Sequence, residues 1–410
     1  MKNILILTIV MSLISCEIQR KIVKDIEFEA PYKFNIEIEN QVTSDSNSGH
    51  AHHGNNYQHL AYDYGLKGDY KNALRLWDLG YEAQINVLTQ EQIDSINNSY
   101  RVTSATDYIF SKAEQSQVII INEAHHNSRH RAFTKSLLKK LFTQGYKNLG
   151  LEALSNGKNK DSLLNHRGYP ILKSGYYILD PQFGDLVRTA LEIGYNIFPY
   201  EVTTEADGKE REIEQARNIQ NEIEKKPNQK FIIHCGFDHA LEGKLPAWGK
   251  AMAGRLNEFT GINPFTINQT EYSERSNKNF NNFILRALDL KEPSILLDQL
   301  NNPMRYERKD SWTDIAVLHP NTNYSNGRPD WLFLSDVKEV PITLEDMEIA
   351  PPIMVLAYKK NEDINKAIPV DIVEIKDIKD KINLALKKGT YQIVIINQKK
   401  VSRKFEISVE

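Results

Sequence analysis

The chain is poor in cysteine, with two residues in 410, Cys16 and Cys235. Two thiols permit one disulfide at most, so no disulfide framework carries the fold and the hydrophobic core must. A basic excess is also missing. Lys and Arg number 51 against 54 Asp and Glu, a formal net charge of -3, which excludes a broad nucleic-acid surface. Beyond Ile14 there is no apolar run that could cross a bilayer as a helix, which takes ~20 residues.

The N-terminus reads MKNILILTIVMSLISCEIQR. Lys2 precedes an apolar run from Ile4 to Ile14, the pattern of a signal-peptide h-region. Leu13-Ile14-Ser15-Cys16 resembles a bacterial lipobox, which implies a signal peptide over 1–16 and lipidation at Cys16. More than one acyl chain anchors stably. The expected location is therefore the bacterial cell envelope, lipid-anchored, periplasmic or surface-facing on the outer membrane. A lipidated Cys16 leaves Cys235 unable to form an internal disulfide. Cys235 lies on an apolar strand and is expected to be a buried free thiol.

Residues 17–56 read as a linker with a short strand over 33–39. The tract TSDSNSGHAHHGNN is polar and Ser- and Gly-rich, and His50, His52 and His53 in it have no rigid frame for a metal. Residues 57–100 change character. Leu60, Ala61, Tyr64, Ala73, Leu74 and Trp77 fall at helical spacing, with Gly65 and Gly68 near a turn. This resembles one tetratricopeptide hairpin. No second copy follows, and ~3 repeats are needed to bury a solenoid face, so the hairpin is expected to cap the main domain.

From Gln117 strands and helices alternate. QVIIIN, KNLGLEAL, NIFPYE and KFIIHCG read as buried strands separated by helical segments such as RAFTKSLLKKLFTQG and EREIEQARNIQNEIEKK. This predicts an α/β domain over 101–360, a mostly parallel sheet with helices on both faces. Residues 361–410 alternate apolar and polar side chains and predict a small C-terminal β appendage.

Parallel strands joined by right-handed crossovers end on one edge, where such folds place ligands. The first strand exits into Glu123, His125 and His126, the second into Glu152, the third into Tyr200 and Glu201. The fourth exits into His234, Asp238 and His239. A buried pair of Glu152 with Arg131 is the purely structural alternative.

NEAHHNSRHRAF, LGLEAL and CGFDHA together resemble the erythromycin esterase-like, ChaN-like and Tiki/TraB-like superfamily over roughly 117–270. The motifs are a Gly-Glu-x-His or Gly-x-x-His turn after a strand, a Glu ending the next strand, and a later Gly-x-x-His. Glu123 with His125 fits the first, Glu152 the second and Gly236-Phe237-Asp238-His239 the third. The Glu-x-x-His spacing of erythromycin esterases would instead select His126. His130 falls near where ChaN-like proteins carry further histidines. Asn122 stands where the family has Gly, and Asn tolerates a positive-φ turn better than most residues.

The resemblance implies one of three chemistries. In the esterase branch, His125 or His126 removes a proton from water, Glu123 or Glu152 orients that imidazole, and His239 is second base, acid or ligand. His130, Arg131, Tyr200 and Glu201 then line the substrate, a small molecule or a peptide, with Arg131 stabilising negative charge. In the metallopeptidase branch, His125, Glu152 and His239 hold a divalent ion. In the ChaN-like branch the chain binds haem or another iron ligand, with Tyr176, Tyr177 or Tyr200 as an axial oxygen and GYPILKSGYY as a pocket wall. Hydrolysis is the leading expectation, because an imidazole supplies a base near neutral pH without large tuning.

Overall fold

The computed structural model describes residues 23–47, 53–81, 85, 87–334, 336–344 and 347–410. The signal-peptide and Cys16 expectations, and those for His50 and His52, lie outside the described residues. Among the described residues no helix is long and apolar enough to cross a membrane.

After a two-residue strand at Lys24–Asp25 come three helices: α1 (Asn35–Asn47), α2 (His53–Leu66) and α3 (Tyr70–Gly80). The expected hairpin is α2 with α3. The short strand expected over 33–39 is instead the start of α1. Its Ile38 packs with Leu60, Ala61 and Tyr64 of α2 and Ala73 and Leu76 of α3. A lone hairpin cannot bury its own face, and α1 supplies the third wall.

The central element is a six-stranded sheet. Its strands are β1 (Val118–Glu123), β2 (Tyr146–Leu151), β3 (Asn196–Pro199), β4 (Lys230–Gly236), β5 (Phe265–Asn268) and β6 (Ile315–Ala316). They lie in the order β6-β5-β1-β4-β2-β3, and every pairing is parallel. The described residues therefore form a mixed α/β fold.

Alternation along β1 explains why all its residues are apolar or buried. Ile119 and Ile121 face α4 (Ala105–Ala113), α5 (Arg129–Thr143) and α6 (Pro181–Ile193), meeting Ile109, Leu137, Leu138, Leu186 and Val187. Val118 and Ile120 face the other side. There they meet Ala216, Ile219 and Ile223 of α7 (Gly208–Lys225), and Met252 and Leu256 of α8 (Met252–Thr260). Burying each such aliphatic side chain is worth about 1.5–3 kcal/mol.

The connections divide by face. The chain leaves β1 towards α5 on one face and leaves β4 towards α8 on the other. Strands β1 and β4 are neighbours, so the crevice between their carboxyl ends is a topological switch point.

The C-terminal strands are β7 (Ile353–Lys359), β8 (Asp371–Ile375), β9 (Gly389–Asn397) and β10 (Ser402–Val409), paired antiparallel. Lys24–Asp25 adds to β10, so the expected linker completes this sheet. Strand β7 begins ahead of the expected boundary at 361. The segment DWLFLS ahead of it contains a 3-10 turn over Asp330–Phe333. The sheet is not a loose appendage. Met354, Leu356 and Tyr358 pack with Phe28, Tyr32, Tyr62 and Leu66. Buried Arg188 of α6 donates to both carboxylate oxygens of Glu362, at 2.7 and 2.6 Å.

Candidate active site

Glu123, the last residue of β1, is 2% exposed and held from several sides. Arg131, one turn into α5, donates Nε to Oε2 at 2.6 Å and Nη2 to Oε1 at 2.7 Å. Its Nη1 bonds Asp180, the N-cap of α6, which also accepts from Ser128. Burial alone would raise the Glu123 carboxyl. Arg131, the His125 hydrogen bond and nearby His234 outweigh it and hold Glu123 well below the usual carboxylate range.

Glu123 Oε1 meets His125 Nδ1 at 3.0 Å. With Glu123 ionised, the Nδ1 position carries the proton and Nε2 is the free lone pair. The ring is fixed on its faces and edges. Tyr177 stacks on it at 3.9 Å between centroids, and Phe237 meets it edge-on at 5.1 Å. Gly236 allows the closest approach: a Cβ there would lie 2.7 Å from His125 Nε2 and 3.5 Å from Glu152 Oε2. The glycine of Gly-x-x-His is thus a matter of space, since its φ of -81° suits any residue. His125 keeps about a fifth of its side chain exposed, 21%.

A second imidazole repeats the pattern. His239 Nδ1 lies 2.8 Å from Glu212 Oε1, and Glu212 also accepts from the Met252 amide at 2.7 Å. His239 Nε2 lies 3.5 Å from Glu152 Oε1 and 3.0 Å from Arg211 Nη1. Burial opposes charge on His239, but Glu152 and Glu212 prevail and raise it above the ordinary value. Between the two imidazoles, Glu152 accepts from the Gly236 amide at 2.6 Å and from Arg211 Nη2 at 2.7 Å. Burial would raise its carboxyl; His239, Arg211, His125 and the Gly236 amide bring it down to about 2.

Glu123, His125, Glu152 and His239 therefore meet across the β1/β4 crevice. The structure separates His125 from its neighbour. His126 is buried and stacks under Trp77 of α3 at 3.8 Å, away from the carboxylates. His130 is fully buried, accepting the Ala124 amide at Nδ1 and meeting Ser273 Oγ at 2.8 Å with Nε2. Arg131, expected to touch substrate, is 0% exposed and sits behind Glu123. The expected alternative of Arg131 with Glu152 is not formed, since Arg211 takes Glu152. Tyr200 is buried and donates to the His234 carbonyl at 2.8 Å, so its hydroxyl is spent inside the core. Glu201 accepts from Arg211 Nε at 3.0 Å and from Gln215. Tyr176 is 61% exposed and Tyr177 stacks on His125. Asn122 needs no positive φ. Its side chain donates to the Phe237 carbonyl and accepts the Gln269 amide, both at 2.7 Å.

The metal set of His125, Glu152 and His239 does not fit a cation. Arg211 puts a guanidinium against Glu152 Oε1 and His239 Nε2, where the ion would have to sit. Among the described residues no three His, Cys, Asp or Glu side chains form a group that could hold a metal. Cys235 is the expected buried thiol, 1% exposed, and burial pushes it well above its ordinary pKa.

Arg211, Glu212 and Asp180 were missed by sequence reasoning. Arg211 and Glu212 lie in EREIEQ, which reads as a solvated charged face. The available signal is spacing. Glu212, Gln215, Ala216, Ile219 and Ile223 form the buried stripe of α7, so a carboxylate occupies an apolar position and needs a partner.

No protein-family model and no curated protein matches the chain. Solved structures with remote likeness include the type III effector HopBA1, at 13% identity and TM-score 0.32, covering 54% of this chain and 97% of that one. RRSP, a MARTX toxin effector domain from Vibrio vulnificus CMCP6, stands at 14% identity and TM-score 0.29, covering 49% and 43%. A third, described as "Bacterial protein toxins", stands at 15% identity and TM-score 0.29, covering 49% and 44%.

Proposed function

We propose that the chain is a hydrolase of ester or peptide bonds, of the erythromycin esterase-like, ChaN-like and Tiki/TraB-like kind, carried on a lipid anchor at Cys16. The observation that carries the reading is the His125–Glu123 pair. A buried, arginine-clamped carboxylate fixes one nitrogen of an imidazole that lies against Gly236 and keeps about a fifth of its side chain exposed. This is how a general base is oriented and its protonated form stabilised.

His125 Nε2 takes a proton from a water molecule as the water oxygen bonds to the carbonyl carbon. The imidazolium that forms is stabilised by Glu123, which stays ionised. Negative charge gathers on the carbonyl oxygen. Arg211 and the His239 ring, which hold Glu152 beside His125, are the cationic and hydrogen-bonding groups assigned to it. Collapse breaks the bond to the leaving group, and His125 returns the proton to that group. Glu152 and Glu212 hold Arg211 and His239 in place.

The test is a screen of aryl esters and peptides with the purified chain and with His125→Ala and His126→Ala. The reading expects hydrolysis that His125→Ala removes and His126→Ala largely keeps. Equal loss in both variants with intact melting curves would refute the assignment. For the anchor, Cys16→Ser should release the protein into the soluble fraction, and retention on membranes would count against lipidation.

A further inference from the structure

Beside the dyad, across the Phe237 ring, lies a cleft of about 410 Å³. It is a separate space from the crevice between β1 and β4, and no group of the hydrolytic chemistry proposed above reaches into it. Its aromatic wall comes from distant parts of the chain: Trp77 and Tyr81 from the α3 hairpin, Phe237 from the loop after β4, and Tyr306 from a later strand. Phe237 joins the two spaces. One side of it meets His125 edge-on, and it stacks on Trp77 at 5.7 Å with the rings 10° apart. Its backbone is held at φ +35°, a conformation side chains other than glycine rarely adopt. The Asn122 bond to its carbonyl helps impose that conformation. Strain of this kind persists only where surrounding structure enforces it, and it clusters at ligand sites.

The charges in the wall do not cancel. Arg275 is matched by Asp78 at 3.3 Å, Arg308 by Asp238 at 2.8 Å, and Glu274 by Arg129 at 3.3 Å. Glu271 lines the same cleft, and among the described residues its carboxylate makes no hydrogen bond or ion pair. Partial desolvation in the cleft wall, supported by Asp238, lifts the carboxyl of this exposed residue above its ordinary value in spite of Arg275 and Arg308. The His126 ring backs this wall, buried and stacked on Trp77 at 3.8 Å. Burial holds that ring far below its ordinary pKa, so it adds no positive charge to the wall.

We infer that this cleft is a substrate subsite for a cationic group, an ammonium or guanidinium, carried close to the bond that is cut. Aromatic faces attract cations through the ring quadrupole, and one unmatched carboxylate supplies the countercharge. The arginines in the wall, each already bound to an acid, leave no free cation to recruit an anion. The inference that the cleft serves substrate rests on the hydrolase reading; that it binds a cation does not.

The experiment is calorimetric titration of the full chain near neutral pH with three probes of one shape: benzylamine, benzyl alcohol and benzoate. Benzylamine should bind about 5- to 30-fold tighter than benzyl alcohol, the range of a partly desolvated cation–aromatic contact, and benzoate weakest. Glu271→Gln, at an exposed position, should remove most of that preference. Trp77→Leu, checked for folding by its melting curve, should weaken benzylamine binding. His125→Ala should keep the preference while losing hydrolysis, which separates the cleft from the chemistry. Equal binding of amine and alcohol, tighter binding of benzoate, no binding of any probe, or an unchanged preference in Glu271→Gln would each overturn the inference.

Discussion

Two regions of the molecule bury arginine–carboxylate pairs and do different things with them. In the C-terminal sheet, Arg328 Nη2 donates to both oxygens of Asp371 at 2.6 Å, with 5% and 0% of the side chains exposed. Lys67 and Glu374 pair there as well, at 0% and 4%. Burial wins in this region: it raises Asp371 despite Arg328 and lowers Lys67 despite Glu374. At the carboxyl edge of the parallel sheet the partners win, and Glu123 and Glu152 fall below their ordinary values. The difference is in what the acid holds. Asp371 closes on an arginine and the Ala385 amide and is sealed. Glu123 closes on an arginine and on an imidazole that still reaches solvent. A buried ion pair is weak grounds for function by itself; one that presents a half-open imidazole is a site.

The sharpest way to break this contrast is to remove the imidazole. His125→Ala should lower hydrolysis by roughly 10²–10⁴-fold while the melting temperature moves little, because Glu123 keeps both bonds from Arg131. Steady-state kinetics beside thermal melting reads both; a large drop in stability would make His125 one more sealed partner. His239→Ala is the poorer test. It strips two carboxylates, Glu152 and Glu212, of one ring, and loses stability together with activity.

Next in size is the sealed region. Arg328→Ala leaves Asp371 buried and unpaired and should cost about 3–5 kcal/mol, measured by denaturant unfolding. Hydrolysis per folded molecule should stay at the parent value. A loss of turnover in the folded fraction would mean the C-terminal sheet feeds the site directly.

Acid separates the regions more gently. Glu152 stands at about 2 in the folded chain against an ordinary 4.5. A depressed carboxyl contributes stability that is full above the ordinary value and is lost as pH falls towards 2. Asp371 is raised from 3.8, so burial makes its ionised form the costly one, and acid does not withdraw stability through that group. The protection of the Gly236 amide, which donates to Glu152, measured as hydrogen exchange relative to its intrinsic rate at each pH, should therefore fall between pH 4.5 and about 2 before that of the amides of β7 and β9 does. His239 has the opposite sign. Its folded value is raised from 6.5, so its contribution is full below 6.5 and is lost as pH rises through that folded value.

The smallest effect belongs to Cys235. Its Sγ lies 3.7 Å from the Ile121 carbonyl in the core under the site. Cys235→Ala should cost about 1 kcal/mol or less of packing and leave kcat/KM unchanged. Lost turnover with an unchanged melting curve would point to a thiol mechanism.

The sequence by itself determined the sheet and the edge. Apolar runs of strand length alternating with amphipathic helices leave few topologies, and right-handed crossovers send every strand end to the same side. That is why Glu123, His125, Glu152 and His239 were legible as one cluster before any contact was known. The tertiary structure alone decided which partner each took. Between His125 and His126 the pattern is silent, because successive residues in a loop point where packing sends them, and Trp77, from a hairpin far away in sequence, claims His126. Arg131, expected to stabilise negative charge at the substrate, lies at 0% exposure, because Glu123 and Asp180 converge on it from two different elements. Glu212 and Arg211 read as a charged face, since one helix shows only its spacing and not what lies across from it. Local pattern fixes the direction and period of each element; pairing between charges depends on distances between elements, and those exist only once the chain has packed.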